Sequence, residues 1–146
     1  MGGRVYVAVV GPGDADPSAE ERAAALGKSL AQAGAVVVCG GLGGVMAAAC
    51  RGAREAGGTT VGILPGGDRT EANPWVEVAL ATGLGEARNA LVVRAADAVV
   101  AVAGGYGTLS EIALALKAGR PVVGLGTWDI PGVVAAADPD QAARLA

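Results

Sequence analysis

The sequence lacks histidine and phenylalanine, and its aromatic residues are two tryptophans and two tyrosines in a chain of 146 residues. Without an imidazole, a Ser-His-Asp triad, a His-ligated zinc site and His general-base chemistry are all excluded. With so few rings, the core must consist mainly of Val, Ala, Leu and Ile. Such a core is predicted for a single domain spanning residues 1–146.

A surplus of basic residues is also missing. The chain has 11 Lys and Arg against 14 Asp and Glu, which gives a net charge of −3 and a pI of about 4.8. Proteins that bind duplex nucleic acid usually carry a basic patch, so we expect no nucleic-acid partner. The hydrophobic content of 52% is too high for a disordered chain and predicts a packed fold.

Cysteines and long apolar runs are scarce as well. Cys39 and Cys50 have a spacing that matches no metal motif, so we expect two reduced core residues and no metal site. The apolar run near the N-terminus is too short for a secretory signal. No run approaches the roughly 20 apolar residues of a membrane helix. These features predict a cytoplasmic protein without a membrane partner.

Short apolar runs alternate with helical segments along the chain. Buried strands are predicted at residues 5–10, 35–39, 60–64, 76–81, 98–102 and 121–125. Helices are predicted from Ser18, the start of a capping box, to Gly34, then after Gly44, over 84–96 and over 109–118. One or two short helices are expected in the tail, residues 131–146. The alternation predicts an α/β fold with a mostly parallel sheet and helices on both faces.

Glycine-rich loops follow three of the predicted strands. Ligands of parallel sheets bind beyond the carboxyl ends of the strands, where these loops lie. Glycine lets the backbone approach a phosphate closely, and the N-terminus of the following helix attracts an anion. The spacings match neither a P-loop nor G-x-G-x-x-G. The alternative is that the glycines only form tight turns. The candidate ligand-binding residues are Gly11, Gly13, Gly41, Gly43, Gly44, Gly104, Gly105, Gly107 and Thr108.

Few ionisable side chains accompany these loops. Arg88 and Glu111 are the candidates for chemistry, and the alternatives are a solvated helix residue and a first-turn acid stabilised by the helix dipole. Neither Lys28 nor Lys117 follows a strand end, where a Schiff-base lysine for pyridoxal chemistry is expected. Tyr106 is the best candidate for a ring that lines the pocket. Trp75 is a candidate lid or dimer contact, and the alternative for each ring is a partly buried surface position.

Three stretches of the sequence resemble the LOG family of nucleoside 5′-monophosphate phosphoribohydrolases, long labelled lysine decarboxylases. Residues 103–111 (AGGYGTLSE) are similar to the motif P-G-G-x-G-T-x-x-E. Residues 40–46 (GGLGGVM) are similar to the family's earlier glycine loop, which adds Met46 to the ligand-binding candidates. Arg88 lies where the family carries an R-K pair. The resemblance covers most of the chain, from Val5 to Leu125.

This resemblance implies a Rossmann-like three-layer fold and a homodimer or dimer of dimers. Gly105, Gly107 and Thr108 would hold a phosphate, and Arg88 and Glu111 match the catalytic arginine and glutamate. The implied reaction splits the N-glycosidic bond of a nucleoside 5′-monophosphate into base and ribose 5-phosphate. It requires no cofactor. A lysine decarboxylase activity has no physical support.

The sequence departs from the family motif at two positions. Ala103 replaces the proline, and Asn89 replaces the lysine of the R-K pair. These departures resemble a side branch that includes molybdenum-cofactor carrier proteins, which bind a phosphorylated pterin without converting it. Three functions stay open: a phosphoribohydrolase, a non-catalytic carrier of molybdenum cofactor or a related phosphorylated ligand, and a DNA-handling or signalling module.

Overall fold

The computed structural model describes residues 4–146, so the first three residues of the predicted domain lie outside the described part. Within it the chain forms a seven-stranded sheet in the order β4-β3-β2-β1-β5-β6-β7, with parallel pairing between all neighbours. The strands are β1 (Tyr6–Val10), β2 (Val36–Cys39), β3 (Thr60–Leu64), β4 (Val78–Ala81), β5 (Ala98–Val102), β6 (Val122–Leu125) and β7 (Val133–Ala135). The predicted α/β fold is confirmed.

Helices cover both faces of the sheet and create three layers. They are α1 (Pro17–Gln32), α2 (Val45–Glu55), α3 (Arg88–Arg94), α4 (Tyr106–Lys117) and α5 (Pro139–Leu145). The helices α1, α2 and α5 share one core with one side of the sheet, whereas α3 and α4 share a second core with the other side. The central strands are buried on both faces because each run of Val and Ala contributes to both cores.

The structure differs from the predictions in several places. The helix predicted over 84–96 is confined to Arg88–Arg94, and the strand predicted over 76–81 to Val78–Ala81. Helix α1 begins at Pro17 because the side chain of Asp16, not Ser18, accepts a hydrogen bond from the Ala19 N–H at 2.8 Å. Helix α4 begins three residues before Leu109, at Tyr106, so part of the predicted loop is helical. The tail forms the strand β7 as well as a helix, because residues 133–135 extend the edge of the sheet by pairing with β6.

The strand order reverses between β1 and β5. The chain moves outward from β1 through β2 and β3 to β4, then returns to the other side of β1 with β5. The loops that leave β1 and β5 therefore diverge and leave a crevice between them at the carboxyl edge of the sheet. Such a switch point is where parallel α/β sheets bind ligands.

One region of the sheet has no helix over it. Val78 and Leu80 of β4 pair with Val61 and Ile63, whose side chains belong to the core under α3 and α4. Because paired residues face the same side of a sheet, Val78 and Leu80 lie on that side, yet they are 43% and 49% exposed. Leu91 of α3, a helix that contacts the neighbouring strand β3, is also exposed. We call these three residues the open sheet face.

Within residues 4–146, no helix is both long enough and apolar enough to cross a bilayer.

Candidate functional site

The crevice at the switch point contains a cavity of about 450 Å³. Its walls come from the loops after β1, β2 and β5, from the start of α3 and from the first turns of α4. A cavity of this size is typical of small-molecule sites. The lining residues include the predicted Gly11, Gly13, Met46, Arg88, Gly105, Tyr106, Gly107, Thr108 and Glu111, together with Gly40, Asp14, Glu86 and Asn89.

The N-terminus of α4 points into this cavity without a side-chain cap. Gly105 is the N-cap residue and supplies no side chain, whereas Asp16 and Asp138 cap α1 and α5. The first N–H groups of a helix have no partner inside it, so those of α4 are available to an anion. Thr108 lies in the same turn and is 2% exposed, and its buried hydroxyl has no hydrogen-bond partner.

Arg88 enters the cavity from the first turn of α3. The residue is 8% exposed, and its Nε atom is buried without a hydrogen-bond partner. The guanidinium passes close to Gly40, where a Cβ atom would lie 2.7 Å from Nη2. The absence of a side chain at position 40 therefore allows the arginine to reach the cavity. The neighbouring Asn89 also lines the cavity, and its Oδ1 atom is buried without a partner.

Glu111 is the buried carboxylate of the site. It lies one turn after Thr108 on α4 and is 8% exposed. Burial raises the pKa of Glu111 to about 7, and the nearby positive charge of Arg88 opposes this rise. Within residues 4–146, the ion pairs within 4.0 Å are Arg51–Glu55 and Arg54–Glu77, so Arg88 and Glu111 influence each other without direct contact. A carboxyl with this pKa is well placed to exchange a proton near neutral pH.

Unpartnered buried polar atoms are concentrated at this cavity. Buried polar atoms in proteins are nearly always hydrogen-bonded, because leaving one unpaired costs about 1–3 kcal/mol. Three buried atoms here have no hydrogen-bond partner, namely Arg88 Nε, Asn89 Oδ1 and Thr108 Oγ1. All three residues line the same cavity. They offer two donors and one acceptor to a ligand that carries anionic oxygens and a hydrogen-bond donor.

The glycine loop after β2 has a different role from the loop after β5. Its residues Gly41, Gly43 and Gly44 do not line the cavity, whereas Gly40 does. The N–H of Val45, at the start of α2, donates to the Pro12 carbonyl at 3.1 Å. The loop after β1 thus already takes the first N–H group of α2. Ligand contact by Gly41, Gly43 and Gly44 stays a prediction, as does contact by Gly104, which lies outside the cavity lining.

The backbone conformation of Ala103 explains why the proline of the LOG motif is absent at this position. Among residues 4–146 it is the one non-glycine residue with a positive φ, at 60°. Proline has φ fixed near −65° and lacks an N–H group. The Ala103 N–H donates to the Leu125 carbonyl at 3.2 Å, so proline would lose this bond as well. The loop after β5 therefore has a backbone that the family motif cannot adopt at this position.

Two acidic residues of the cavity were not among the predicted site residues. Asp14 and Glu86 are exposed at its rim. Asp14 had a usable signal, because it follows the loop at the carboxyl end of β1. Glu86 precedes Arg88 by two residues, and this closeness in sequence to a predicted site residue was its signal. Arg88 is the cationic residue of this lining, so an anionic ligand here would depend on this arginine and on backbone N–H groups.

The aromatic candidates separate into two groups. Tyr106 lines the cavity as predicted, although its ring is 86% exposed, and it stacks on Trp128 with ring centroids 6.4 Å apart. Trp128 is fixed by a hydrogen bond from its indole Nε1 to the Gly105 carbonyl at 3.1 Å. Trp75 is not part of the cavity lining, so a role as lid or dimer contact stays a prediction.

The two cysteines lie beneath the glycine loop after β2. Both are buried free thiols, as predicted, with their Sγ atoms 3.4 Å apart. The hydrogen bond from Cys50 lowers the pKa of Cys39, whereas the same contact raises the pKa of Cys50. The Gly41 N–H also donates to Cys39 Sγ at 3.3 Å, which fixes the loop on the core. Among residues 4–146, no group of three His, Cys, Asp or Glu could hold a metal ion.

The fold and this cavity define a Rossmann-like protein of the LOG type. The sequence model of the SLOG cluster4 family matches residues 4–145, nearly the whole chain. The chain belongs to the SLOG cluster4 family. An uncharacterized protein of Archaeoglobus fulgidus is 43% identical over 121 residues, which cover 83% of this chain and 80% of that protein.

Two solved structures extend the similarity to proteins of described function. The molybdenum cofactor binding protein of Rippkaea orientalis is 38% identical, with a TM-score of 0.93, and the match covers 97% of this chain and 94% of that one. The molybdenum cofactor carrier protein of Chlamydomonas reinhardtii is 39% identical, with a TM-score of 0.87 and the same coverage. DNA processing protein A of Helicobacter pylori, at 22% identity and a TM-score of 0.67, shares the fold alone.

Proposed function

We propose that this protein binds molybdenum cofactor, or a related phosphorylated ligand, as a non-catalytic carrier. The observation that carries the proposal is the set of unpartnered buried atoms on Arg88, Asn89 and Thr108 around one cavity. Left unpaired, these buried atoms lower the stability of the fold. A ligand with phosphate oxygens would complete them.

The similarity to molybdenum cofactor binding and carrier proteins supports the choice of ligand. Both solved relatives match this chain over 97% of its length. The departures from the hydrolase motif support binding without turnover, because Ala103 gives the loop after β5 a backbone that proline cannot adopt.

Each group of the cavity has a distinct task in this proposal. The N-terminal turn of α4 supplies N–H donors and a positive dipole end to the phosphate. Thr108 adds a hydroxyl donor, and Arg88 adds the positive charge and a directional guanidinium. Burial strengthens both contacts, because the two residues are shielded from water. The bound cofactor itself is cargo and undergoes no reaction on these residues.

Removing either side-chain donor is expected to weaken binding of the phosphorylated ligand. Hydrogen bonds to charged groups contribute about 1.5–3 kcal/mol, so Thr108→Val and Arg88→Ala should each weaken binding about tenfold or more. Calorimetric titration with molybdenum cofactor and with ribose 5-phosphate measures the loss. Ser110→Ala is the matched control, since Ser110 is an exposed hydroxyl on the same helix. Unchanged affinity in both donor variants would refute the proposed site.

Hydrolysis of a nucleoside 5′-monophosphate is the second candidate function, favoured by the pKa of Glu111. A carboxyl that titrates near 7 beside a phosphate site can orient water or stabilise a cationic sugar. Incubation with a panel of nucleoside 5′-monophosphates, followed by chromatography, tests it. We expect ligand binding without release of base. Base release that Glu111→Gln abolishes would instead establish the hydrolase.

We also propose that the protein forms a homo-oligomer through the open sheet face. Val78, Leu80 and Leu91 are large apolar side chains that a second copy of the chain would cover. Leu80→Glu is expected to reduce the molar mass in solution to that of a monomer, because it buries a charge in the contact. Light scattering after size-exclusion chromatography measures the mass.

The matched control for this substitution is Val134→Glu at the opposite edge of the sheet. Val134 is 53% exposed on β7 and pairs with Val123, so it faces the opposite side of the sheet from Val78 and Leu80. It should leave the molar mass unchanged. A wild-type protein that is already monomeric, or a Leu80→Glu protein with unchanged mass, would contradict the proposal.

A further inference from the structure

A second cavity of about 330 Å³ opens beyond the carboxyl ends of β6 and β7. One wall consists of Thr127, Trp128 and Asp129, which follow β6, and the other includes Val133, Ala135 and Ala136 at β7. Its volume falls within the range of about 300–1,000 Å³ that small-molecule sites occupy. The lining of the first cavity and the open sheet face include none of its residues.

The second cavity is next to the phosphate cavity and shares an aromatic wall with it. Tyr106 lines the first cavity and Trp128 lines the second, and their rings stack at an interplanar angle of 27°. The hydrogen bond from Trp128 to the Gly105 carbonyl fixes the indole beside the N-terminus of α4. A ligand with its phosphate at α4 can therefore extend its other end past Tyr106 toward Trp128.

Polar groups without partners line the second cavity as well. The Thr127 hydroxyl oxygen is buried and has no hydrogen-bond partner. Asp129 is exposed in the cavity wall, and within residues 4–146 its carboxylate makes neither a side-chain hydrogen bond nor an ion pair, so it is free to accept from a ligand. The lining thus combines a tryptophan, a hydroxyl and a carboxylate with an apolar opposite wall.

This combination matches one class of heterocycle. A planar ring stacks on an indole, and a carboxylate accepts hydrogen bonds from two adjacent N–H donors. A 2-amino-4-oxo pyrimidine ring presents such a pair, and its exocyclic 4-oxo oxygen can accept from the Thr127 hydroxyl. Guanine and pterins both contain this ring. Adenine presents an acceptor nitrogen where the carboxylate needs a donor, so the two acceptors would face each other.

We propose that the second cavity is a subsite for the 2-amino-4-oxo ring of the phosphorylated ligand, with Asp129 as the residue that selects it. The inference rests on the proposed function, because the phosphate at α4 anchors the ligand that reaches this subsite. The Asp129 carboxylate determines the specificity for the ring, whereas Arg88 and Thr108 bind the phosphate whatever ring it carries.

Nucleotides that differ only in the base test this subsite. The Trp75→Phe variant leaves Trp128 as the single tryptophan, so its fluorescence reports on the second cavity. In this background GMP is expected to bind about tenfold more tightly than AMP, with IMP between them because it lacks the 2-amino group. GMP should also quench Trp128, and ribose 5-phosphate should bind without quenching.

Substitution of the carboxylate completes the test. Asp129→Asn is expected to remove the preference for GMP while AMP and ribose 5-phosphate keep their affinities, which also shows that the variant is folded. Glu21→Gln, which neutralises an exposed carboxylate on α1, should leave the preference unchanged. A pterin monophosphate that competes with GMP and binds more tightly would identify a pterin as the preferred source of the ring.

The outcomes separate the two proposals. Equal affinities for GMP, IMP and AMP in the Trp75→Phe protein, or a preference that survives in Asp129→Asn, would overturn the ring subsite and leave the phosphate site intact. Failure of ribose 5-phosphate and of all three nucleotides to bind would overturn the subsite together with the proposed function.

Discussion

Replacing Glu111 with glutamine is expected to stabilise the protein at pH 8 by up to about 3 kcal/mol. The pKa of this carboxyl rises from 4.5 to about 7 on folding, mainly because burial disfavours the charged form. Between these two values the unfolded chain has released its proton and the folded chain still holds it. The stabilising contribution of the neutral carboxyl is therefore complete below pH 4.5 and is lost as the pH rises through 7.

Urea unfolding across this pH range measures the effect. The free energies of unfolding of wild type and Glu111→Gln should agree near pH 4.5, diverge between pH 4.5 and about 7, and differ by a nearly constant amount from there to pH 8, where the variant is more stable. Glu86→Gln is the control, because Glu86 is an exposed carboxylate at the rim of the same cavity. It should follow the wild-type curve to within about 0.5 kcal/mol. Superimposable curves for Glu111→Gln and wild type would refute the burial argument.

A methyl group added between α1 and α2 is expected to destabilise the fold by about 2–3 kcal/mol. A Cβ atom on Gly27 would lie 2.9 Å from the Ala49 carbonyl carbon, and one on Gly52 would lie 2.8 Å from the Ala24 carbonyl carbon. Each glycine thus lets the two helices approach through their backbones. Helix propensity alone predicts the opposite sign, a gain of up to about 1 kcal/mol for Gly→Ala.

Thermal or urea unfolding of Gly27→Ala and Gly52→Ala decides between these two effects. Gly67→Ala is the control, because Gly67 has no atom within 4 Å of the added Cβ and no positive φ. Its stability should stay within about 0.5 kcal/mol of wild type. If Gly27→Ala proves more stable than wild type, the helices do not pack as closely as described.

Much of the fold could be predicted because each strand carries its own signal. Runs such as Val36–Cys39 and Ala98–Val102 are buried on both faces, and this double burial is what a continuous apolar run indicates. The strand β7 had no such signal, since three residues with partly exposed side chains are too few for a pattern. It forms through pairing with β6, which is a tertiary effect. The cap of α1 was misplaced because both Asp16 and Ser18 are good N-cap residues and only the backbone geometry selects one.

The residues of the candidate site could be predicted in part, because they lie in short sequence motifs. Arg88 and Glu111 are separated in sequence, yet both come to the carboxyl edge of neighbouring elements, and the motif spacing was enough to place them in one cavity. What spacing could not reveal was burial. The unpartnered state of Thr108 and Arg88, and the pKa of Glu111, arise from how the loops close over them. The hydrogen bond from the first N–H group of α2 to Pro12 likewise depends on a contact between distant segments.

The left-handed backbone of Ala103 has an evolutionary consequence. A residue other than glycine pays about 1–2 kcal/mol in this conformation, so glycine could enter position 103 at once, whereas proline could not. A single substitution therefore cannot restore the proline of the hydrolase motif. The backbone of the loop would first have to move to a negative φ at position 103 and lose the hydrogen bond to the Leu125 carbonyl. Chains with alanine and chains with proline at this position therefore differ in the backbone of the loop as well as in the side chain.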